Sequence, residues 1–344
     1  MRAGNRDDRA ASSVSALREW TPVRVYVEKG TATVEWLPFG NMPLTDPFFD
    51  RSVSRYRAEH PDVLPVRTSW DALGQVADQR PTLRPHGAIF HISRCGSTTI
   101  SNALSAVDRH LVISEAWPIN DLLRAHGYGH RREVQEERLR DLVAALGYQR
   151  FGCEEQYFIK FSSWNVLHLP FIRGIFPGLR WVFVYRNPIE VMVAVFNSST
   201  GWMEALKKNP MAAAREFGFS VKELLRISRE EYCARILAGF FEAALASYNA
   251  DTLLLEHRQL RDRFLPDLLA FFGIEVTDAE RARMSATGRF YSKDPTLSRA
   301  FADDSAEKQR AASPKLREMA ERWVMPLYAR IEDLRAGQSR RSCA

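Results

Sequence analysis

The sequence predicts an α/β fold in which a mainly parallel central sheet is flanked by helices in three layers. The first observation is an apolar run, Gly87 to Ile92, that leads through a short polar loop into apolar residues at helical spacing. The second is the apolar run Trp181 to Tyr185, which passes through Arg186 into a segment with Pro188 near its start. Strands that alternate with helices in this way are typical of parallel sheets.

The loop after the first of these strands has the composition of an anion-binding site. The pattern predicts a helix over Ser97 to Val107, whose N-terminus exposes unpaired N–H groups and the positive end of the helix dipole. A plain helix cap is the alternative interpretation. No lysine stands directly before Ser97, which disfavours an ordinary ATPase loop. The expected anion-binding residues are Arg94, Cys95, Gly96, Ser97, Thr98 and Thr99, with Cys95 packed beneath the loop.

The second strand also ends in a cation. Pro188 and Glu190 are favourable residues for the first turn of a helix, so Arg186 is left between the strand and that helix. In open parallel sheets the carboxyl ends of the strands carry the ligands. We therefore expect Arg186 to bind part of the same anionic ligand.

These two segments together resemble the sulfotransferases that use 3′-phosphoadenosine 5′-phosphosulfate (PAPS). Ser93 to Thr98 is similar to that family's P-K-S-G-T-T loop, which binds the 5′-phosphosulfate, and Arg186 to Ala194 is similar to its R-N-P-x-D-V-x-x-S element, which binds the 3′-phosphate. The likeness extends to Thr252 to His257 and to a helix over Phe264 to Phe272. It implies a P-loop-type fold, PAPS as sulfuryl donor and adenosine 3′,5′-bisphosphate as product.

Two positions depart from the family pattern. Arg94 stands where the family has lysine, which keeps the charge but replaces an ammonium with a planar guanidinium. Ala194 stands where the family has the serine that binds the 3′-phosphate. Ser198 lies one helical turn further along the same face, and we expect its hydroxyl to take over that contact.

The resemblance also implies the catalytic residues. Glu115 follows a predicted strand, Leu111 to Ser114, at the position of the base in the protein-tyrosine branch of the family, although it is also suited to cap the next helix. Lys160 is expected to assist the leaving group, with Arg94 beside the sulfuryl oxygens. Ser162 replaces the catalytic histidine of small-molecule members, and His168 is the fallback base, more typical of a core residue.

A basic, turn-rich segment near the C-terminus stands where the family closes its cofactor site with an R-K-G loop. That string is absent, so Lys293, or Arg289, is expected to replace it, with a solvated charged loop as the alternative. Four aromatic side chains follow the site elements and fit either an acceptor pocket or the core. They are Trp117, Trp164, Phe196 and Trp202.

Composition restricts the other function classes. The chain has 344 residues and a net charge of +6, which suits a polyanionic ligand, but it has no basic tract typical of nucleic-acid binding. Its four cysteines lack disulfide or zinc spacing and suggest a reducing compartment. His126 and His130 have no carboxylate pattern beside them, so no metal is expected. With no signal peptide or membrane-spanning run, we predict a cytoplasmic protein that does not bind membranes.

The expected organisation has three parts. Residues 1–86 form an extension with a hairpin over Val23 to Trp36 and a helix near Phe48 to Ala58. We expect it to cover a sheet edge of the core, with a part in an acceptor pocket or a dimer contact as the alternatives. Residues 87–334 form the α/β domain, and residues 335–344 a polar tail. A C-terminal helix over Pro314 to Leu334 should be interrupted at Pro326.

The sequence thus predicts a sulfotransferase that moves the sulfuryl group of PAPS to a hydroxyl of an unidentified acceptor. A small molecule is favoured, with a peptide or a glycan and oligomerisation left open. One alternative is an ATP-dependent small-molecule kinase, which would need a loop lysine and acidic Mg²⁺ ligands. The other is a non-catalytic module that binds a nucleotide or another anion.

Overall fold

The computed structural model describes residues 16–28, 31–125, 131–260, 264–287 and 304–342, with side chains described to residue 338. These described residues contain two sheets. A three-stranded antiparallel sheet has the order β1-β2-β3, and a five-stranded, all-parallel sheet flanked by helices has the order β5-β6-β4-β7-β8. The predicted α/β class with a parallel central sheet is therefore confirmed.

The strands and helices have the following bounds. The strands are β1 (Thr21–Glu28), β2 (Thr31–Leu37), β3 (Val66–Ser69), β4 (Pro85–His91), β5 (His110–Ser114), β6 (Gln156–Lys160), β7 (Arg180–Tyr185) and β8 (Thr252–Glu256). The first helices are α1 (Phe49–Glu59), α2 (Asp71–Asp78), α3 (Ser97–Ser105), α4 (Trp117–Ala125), α5 (Arg132–Leu146), α6 (Leu169–Ile175), α7 (Pro188–Asn197) and α8 (Gly201–Lys208). The remaining helices are α9 (Pro210–Phe217), α10 (Val221–Leu224), α11 (Arg229–Ser247), α12 (Phe264–Phe272), α13 (Asp278–Thr287), α14 (Ser305–Ala311), α15 (Pro314–Trp323) and α16 (Met325–Ser342). Two 3-10 helices cover Ser163–His168 and His257–Leu260.

The chain divides into two compact units. The first lies within Met1–Ala88, Leu104–Lys160 and Gly174–Leu179, and the second within Ile89–Ala103, Phe161–Arg173 and Arg180–Ala344. The domain boundaries after residues 86 and 334 stay predictions.

The first unit carries the predicted N-terminal hairpin, β1 and β2, together with a third strand, β3, that the sequence pattern did not indicate. Asp121 in α4 holds β1: its carboxylate accepts hydrogen bonds from the Arg24 guanidinium at 2.8 Å and from the Val25 N–H at 3.1 Å. β5 and β6 pair in parallel, with Ser114 opposite Lys160. The carboxyl ends of β5 and β6 therefore lie side by side.

The second unit is built around β7, an apolar strand whose last five residues are buried. Strands covered on both faces have this near-continuous apolar character. The Phe90 ring stacks on Phe161 at 4.7 Å and meets Trp181 edge-on at 5.9 Å. α7 begins as predicted, with Pro188 in its first turn and the Asn187 side chain accepting a hydrogen bond from the Ile189 N–H at 3.0 Å.

Two elements end where local sequence features stop them. β6 ends at Lys160, because Ser162 and Asn165 form a capping box that starts a 3-10 helix. The expected interruption near Pro326 is confirmed, since α15 ends at Trp323 and α16 begins at Met325. Proline is tolerated in the first turn of a helix, where its missing N–H has no partner to lose.

Among the described residues, no helix has both the length and the apolar character needed to cross a membrane.

Candidate functional site

The loop between β4 and α3 has an unusual backbone. Ser93, Arg94 and Gly96 lie in the left-handed region, with φ values of 69°, 50° and 87°. The loop closes where the Thr99 N–H donates to the Gly96 carbonyl at 2.9 Å. Turns that combine such conformations with a helix N-terminus direct N–H groups into a concave surface that binds anions. The side chains of Ser97, Thr98 and Thr99 are buried at this helix start.

Hydrogen bonds hold the first half of the loop in this shape. The Ser93 hydroxyl lies 2.7 Å from the Ser163 hydroxyl and accepts a bond from the Trp202 indole N–H at 3.3 Å. The buried Cys95 thiol contacts the Val184 carbonyl at 3.2 Å, beneath the loop as expected. These contacts fix the positions of Ser93 and Cys95 on either side of Arg94.

His257 supports the second half of the loop. Its Nδ1 lies 3.1 Å from the Cys95 carbonyl oxygen, so this nitrogen carries the proton and donates. Burial and the nearby Arg186 charge lower the pKa of His257 to about 4, which keeps the ring neutral near pH 7. A Cβ on Gly96 would lie 2.6 Å from Leu260 Cδ1 and 3.0 Å from His257 Nδ1. The positive φ of Gly96 and this close contact both favour glycine at the position.

Arg94 and Ser198 are brought together. The Arg94 Nη2 donates to the Ser198 carbonyl at 2.6 Å and to its hydroxyl at 2.7 Å. Ser198 caps the C-terminus of α7, one turn beyond the buried Ala194. Its hydroxyl is thus a partner of the loop arginine, and its contact with a 3′-phosphate stays a prediction.

Arg186 lies directly after β7 and is almost fully buried. Its Nε donates to Glu190 at 2.7 Å, and its Nη2 donates to Asp304 at 2.6 Å and to the Ser305 hydroxyl at 3.2 Å. Burial lowers the pKa of Arg186, but the hydrogen bonds to Asp304 and Glu190 outweigh burial and raise it. The Asp304 carboxylate also binds the Lys308 ammonium at 2.5 Å.

Sequence reasoning missed Asp304 and Lys308. Asp304 lies 118 residues from Arg186 in the chain, so no local pattern links those two residues. Asp304 and Lys308 are one helical turn apart, and that spacing alone could have indicated that they pair with each other. Lys293 and Arg289, which we predicted for this role, lie outside the described residues. His126 and His130 lie outside them as well. No group of three or more possible metal-ligating side chains occurs within the described part of the chain.

Glu115 and Lys160, both in the first unit, form an ion pair at the ends of β5 and β6. Lys160 is fully buried, and its Nζ donates to Glu115 Oε1 and lies 5.0 Å from the centre of the Phe48 ring. Glu115 is about a quarter exposed and has a left-handed backbone, with φ 54°. The Glu115 N–H donates to the Lys160 carbonyl at 2.7 Å. The Glu115 carboxylate is therefore held by the buried Lys160 ammonium and is still partly exposed to solvent.

A second carboxylate accompanies this pair. Asp50 lies in the first turn of α1, two residues after Phe48. Burial raises the pKa of Asp50, and the negative charge of Glu115 raises it further, against a hydrogen bond from the Arg51 backbone. The N-terminal part of the chain thus supplies two residues to the surroundings of Glu115, which no sequence motif had indicated.

The other predicted residues have ordinary surroundings. His168 lies in a 3-10 helix, half-buried, with its ring edge-on to Trp164 at 5.5 Å. Trp164 and Trp202 are buried, as in the core interpretation, whereas Trp117 is 37% exposed. The Phe196 ring lies 5.0 Å from the Arg229 guanidinium.

No protein-family model matches the chain, and no curated protein matches it. Among solved structures it is similar to the sulfotransferase STF9 from Mycobacterium avium, with 10% identity, coverage of 94% of this chain and 98% of that chain, and a TM-score of 0.43. A sulfotransferase from Alicyclobacillus acidocaldarius has 16% identity, coverage of 74% and 96%, and a TM-score of 0.41. The mouse sulfotransferase SULT7A1, in complex with PAP, has 13% identity, coverage of 73% and 87%, and a TM-score of 0.39.

All three TM-scores are below 0.5, so the roles of individual residues rest on this chain's own contacts. These three solved proteins to which the chain is similar are sulfotransferases, two from bacteria and one from mouse.

Proposed function

We propose that the chain is a sulfotransferase that moves the sulfuryl group of PAPS to a hydroxyl of a small acceptor molecule. The loop from Ser93 to Thr99 carries this proposal, because its left-handed backbone and the contacts that hold it suit an anion, without the lysine that ordinary nucleotide-binding loops use. Along the chain, this loop is followed by β7 and then by Arg186, an order that resembles that of sulfotransferases. This order supports PAPS as the sulfuryl donor.

The residues present fit PAPS. Gly96 has no side chain and a positive φ, a combination that allows a phosphate or sulfate to approach the loop backbone closely. These groups, with the hydroxyls of Ser97, Thr98 and Thr99, would hold the 5′ end, and Arg186 the 3′-phosphate. Arg94, Cys95, Ser198 and Lys293 complete the proposed donor site. When bound, PAPS supplies an activated sulfuryl group and needs no metal.

Glu115 is the proposed base. A carboxylate that is partly exposed and held on one side can accept the proton of an acceptor hydroxyl. Lys160 orients this carboxylate through their ion pair and supplies a buried positive charge; its assistance to the leaving group is part of the proposal. Arg94 would neutralise charge on the transferring group, since guanidinium groups bind such oxygens through a planar set of donors.

The donor class can be tested by thermal unfolding. Adenosine 3′,5′-bisphosphate (PAP) is expected to raise the melting temperature more than Mg-ATP does, since a ligand at a hundredfold excess over its Kd stabilises a protein by about 2.7 kcal/mol. Arg186→Ala should remove the response. Arg180→Ala is the matched control, because Arg180 begins the strand that Arg186 follows and bonds only the Phe271 carbonyl among the contacts described. A preference for Mg-ATP would instead support a kinase.

Turnover separates an enzyme from a binding module. We expect transfer of labelled sulfate from PAPS to at least one hydroxyl compound in a panel of phenols and alcohols. Glu115→Gln should abolish this transfer and leave PAP binding intact. Glu155→Gln is the control, since Glu155 precedes the same strand as Lys160 and is 61% exposed. PAP binding without transfer to any acceptor would favour the module.

A further inference from the structure

A carboxylate of this chain lies between two cations of the proposed donor site. Asp304 accepts from Arg186 Nη2 through Oδ1 at 2.6 Å and binds Lys308 Nζ through Oδ2 at 2.5 Å. The Arg186 and Lys308 side chains are 4% and 15% exposed, and that of Asp304 is 42% exposed. The Asp304 carboxylate thus bridges a buried guanidinium and an ammonium, and a phosphate group can bridge the same two cations.

Among the described side chains bonded to Arg186 or to its partners, the charges of this cluster balance. Arg186 and Lys308 are opposed by Asp304 and by Glu190, whose carboxylate accepts from Arg186 at 2.7 Å and from the Gln309 amide at 3.2 Å. A phosphate would therefore add negative charge to a neutral cluster, with like charges in contact. One of the two carboxylates has to leave before a phosphate can bind well.

Asp304 is the carboxylate that can leave. Glu190 is 10% exposed and sits one helical turn from Arg186 in the buried helix α7. Asp304 occupies the N-cap position of α14, yet its side chain makes no capping hydrogen bond there. Aspartate is among the preferred N-cap residues, because its carboxylate accepts from the free N–H groups of the first turn. Away from Arg186, the Asp304 side chain thus has a second favourable position on its own helix.

We propose that Asp304 is an internal competitor for the nucleotide's 3′-phosphate, which must displace it from Arg186 and Lys308. The inference rests on the proposed function, in which Arg186 binds that phosphate. Asp304 then weakens the binding of every nucleotide with a 3′-phosphate and has no effect on those without one. Its exchange between Arg186 and the α14 N-terminus couples donor binding to the conformation of that helix start.

Isothermal titration of the full-length protein with PAP and with 5′-AMP tests this directly. Asp304→Asn is expected to lower the Kd for PAP about tenfold and to leave the Kd for 5′-AMP within about twofold. Glu307→Gln is the matched control, since Glu307 is an exposed acid of the same helix, and its removal should leave both values unchanged. Asp304→Ser, which keeps an N-cap oxygen without the charge, should behave like Asp304→Asn.

Three results would overturn the inference. PAP binding that is unchanged or weaker in Asp304→Asn and Asp304→Ser would mean that Asp304 holds Arg186 in place. If Asp304→Asn tightened the binding of PAP and 5′-AMP equally, or if Glu307→Gln tightened PAP binding as much, the effect would come from the change in net charge alone. Failure of all the proteins to bind PAP would refute the proposed function as well, whereas wild-type binding without a gain refutes only the role of Asp304.

Discussion

Ser93, Arg94 and Glu115 have left-handed backbones although none of them is glycine, and they are the only such residues within the described ranges. Each conformation of this kind costs about 1–3 kcal/mol and persists only where surrounding contacts enforce it. Hydrogen bonds from Trp202 to Ser93 and from Glu115 to the Lys160 carbonyl provide that enforcement. All three strained residues belong to the proposed site, which is where such strain is usually found.

Gly96→Ala is expected to lower the free energy of unfolding by about 2–3 kcal/mol, because the new Cβ adds a clash with Leu260 and His257 to the cost of a positive φ. It should also weaken PAP binding at least tenfold. Gly218→Ala is the control, since its φ of 73° carries the same strain and no atom lies within 4 Å of its Cβ position. Urea unfolding and titration with PAP measure the two effects. Equal losses in both variants would contradict the proposed close approach.

His257 should make the stability depend on pH. Its pKa is lowered to about 4 in the folded state, so between that value and its ordinary 6.5 the unfolded state binds more protons. The contribution of neutral His257 to the free energy of unfolding is therefore fully present near pH 7. It is lost as the pH falls from 6.5 to about 4, which lowers that free energy by about 3 kcal/mol.

His257→Asn keeps a hydrogen-bond donor for the Cys95 carbonyl but does not titrate. Urea unfolding at pH 7 and at pH 4 should show a smaller loss of stability in this variant than in the wild type. The prediction is wrong if the two proteins lose the same amount between these pH values.

At the scale of elements, the pairing of β5 with β6 creates the Glu115–Lys160 ion pair. Glu115→Gln leaves a fully buried ammonium without this counter-charge and is expected to cost about 3 kcal/mol of unfolding free energy. Lys160→Met keeps the buried stem and leaves a carboxylate that water can reach, so it should cost about 1 kcal/mol or less. Chemical denaturation of both variants at pH 7 measures the difference. A larger loss for Lys160→Met would contradict this account.

The elements around the site follow from local sequence patterns. β4 and β7 are apolar runs, and Pro188 with Asn187 marks the start of α7, so each could be predicted from a few adjacent residues. The Glu115–Lys160 contact could not, because it depends on which strands are neighbours and in which register. Asp50 and Asp304 join their sites from distant segments, and short motifs contain no information about such contacts.

At the scale of the molecule, each of the two units is assembled from discontinuous segments of the chain. The proposed donor residues that the structure describes, from Ser93 to Thr99 and at Arg186, belong to the second unit, whereas Glu115 and Lys160 belong to the first. Each unit therefore needs several separate segments of the chain, because no single stretch of sequence encodes either of them.

Hydrogen exchange should show where the donor binds. Saturating PAP is expected to slow amide exchange at least tenfold in the loop from Ser93 to Thr99 and in the first turn of α7, where N–H groups would contact phosphate oxygens. The amides of β1 and β2 serve as the internal control and should be unaffected. Mass spectrometry of peptides from both units can follow this. Equal protection across the two units would contradict a donor site on the second.

The carboxylate of Asp121 has a consequence for the protein in concentrated solution. β1 is an edge strand of its sheet, and edge strands with free N–H groups can add a strand from another molecule and start aggregation. Asp121 takes the Val25 N–H in the middle of that edge and pairs with the adjacent Arg24. The N-terminal sheet thereby carries its own protection against fibril-like growth, in a side chain contributed by α4.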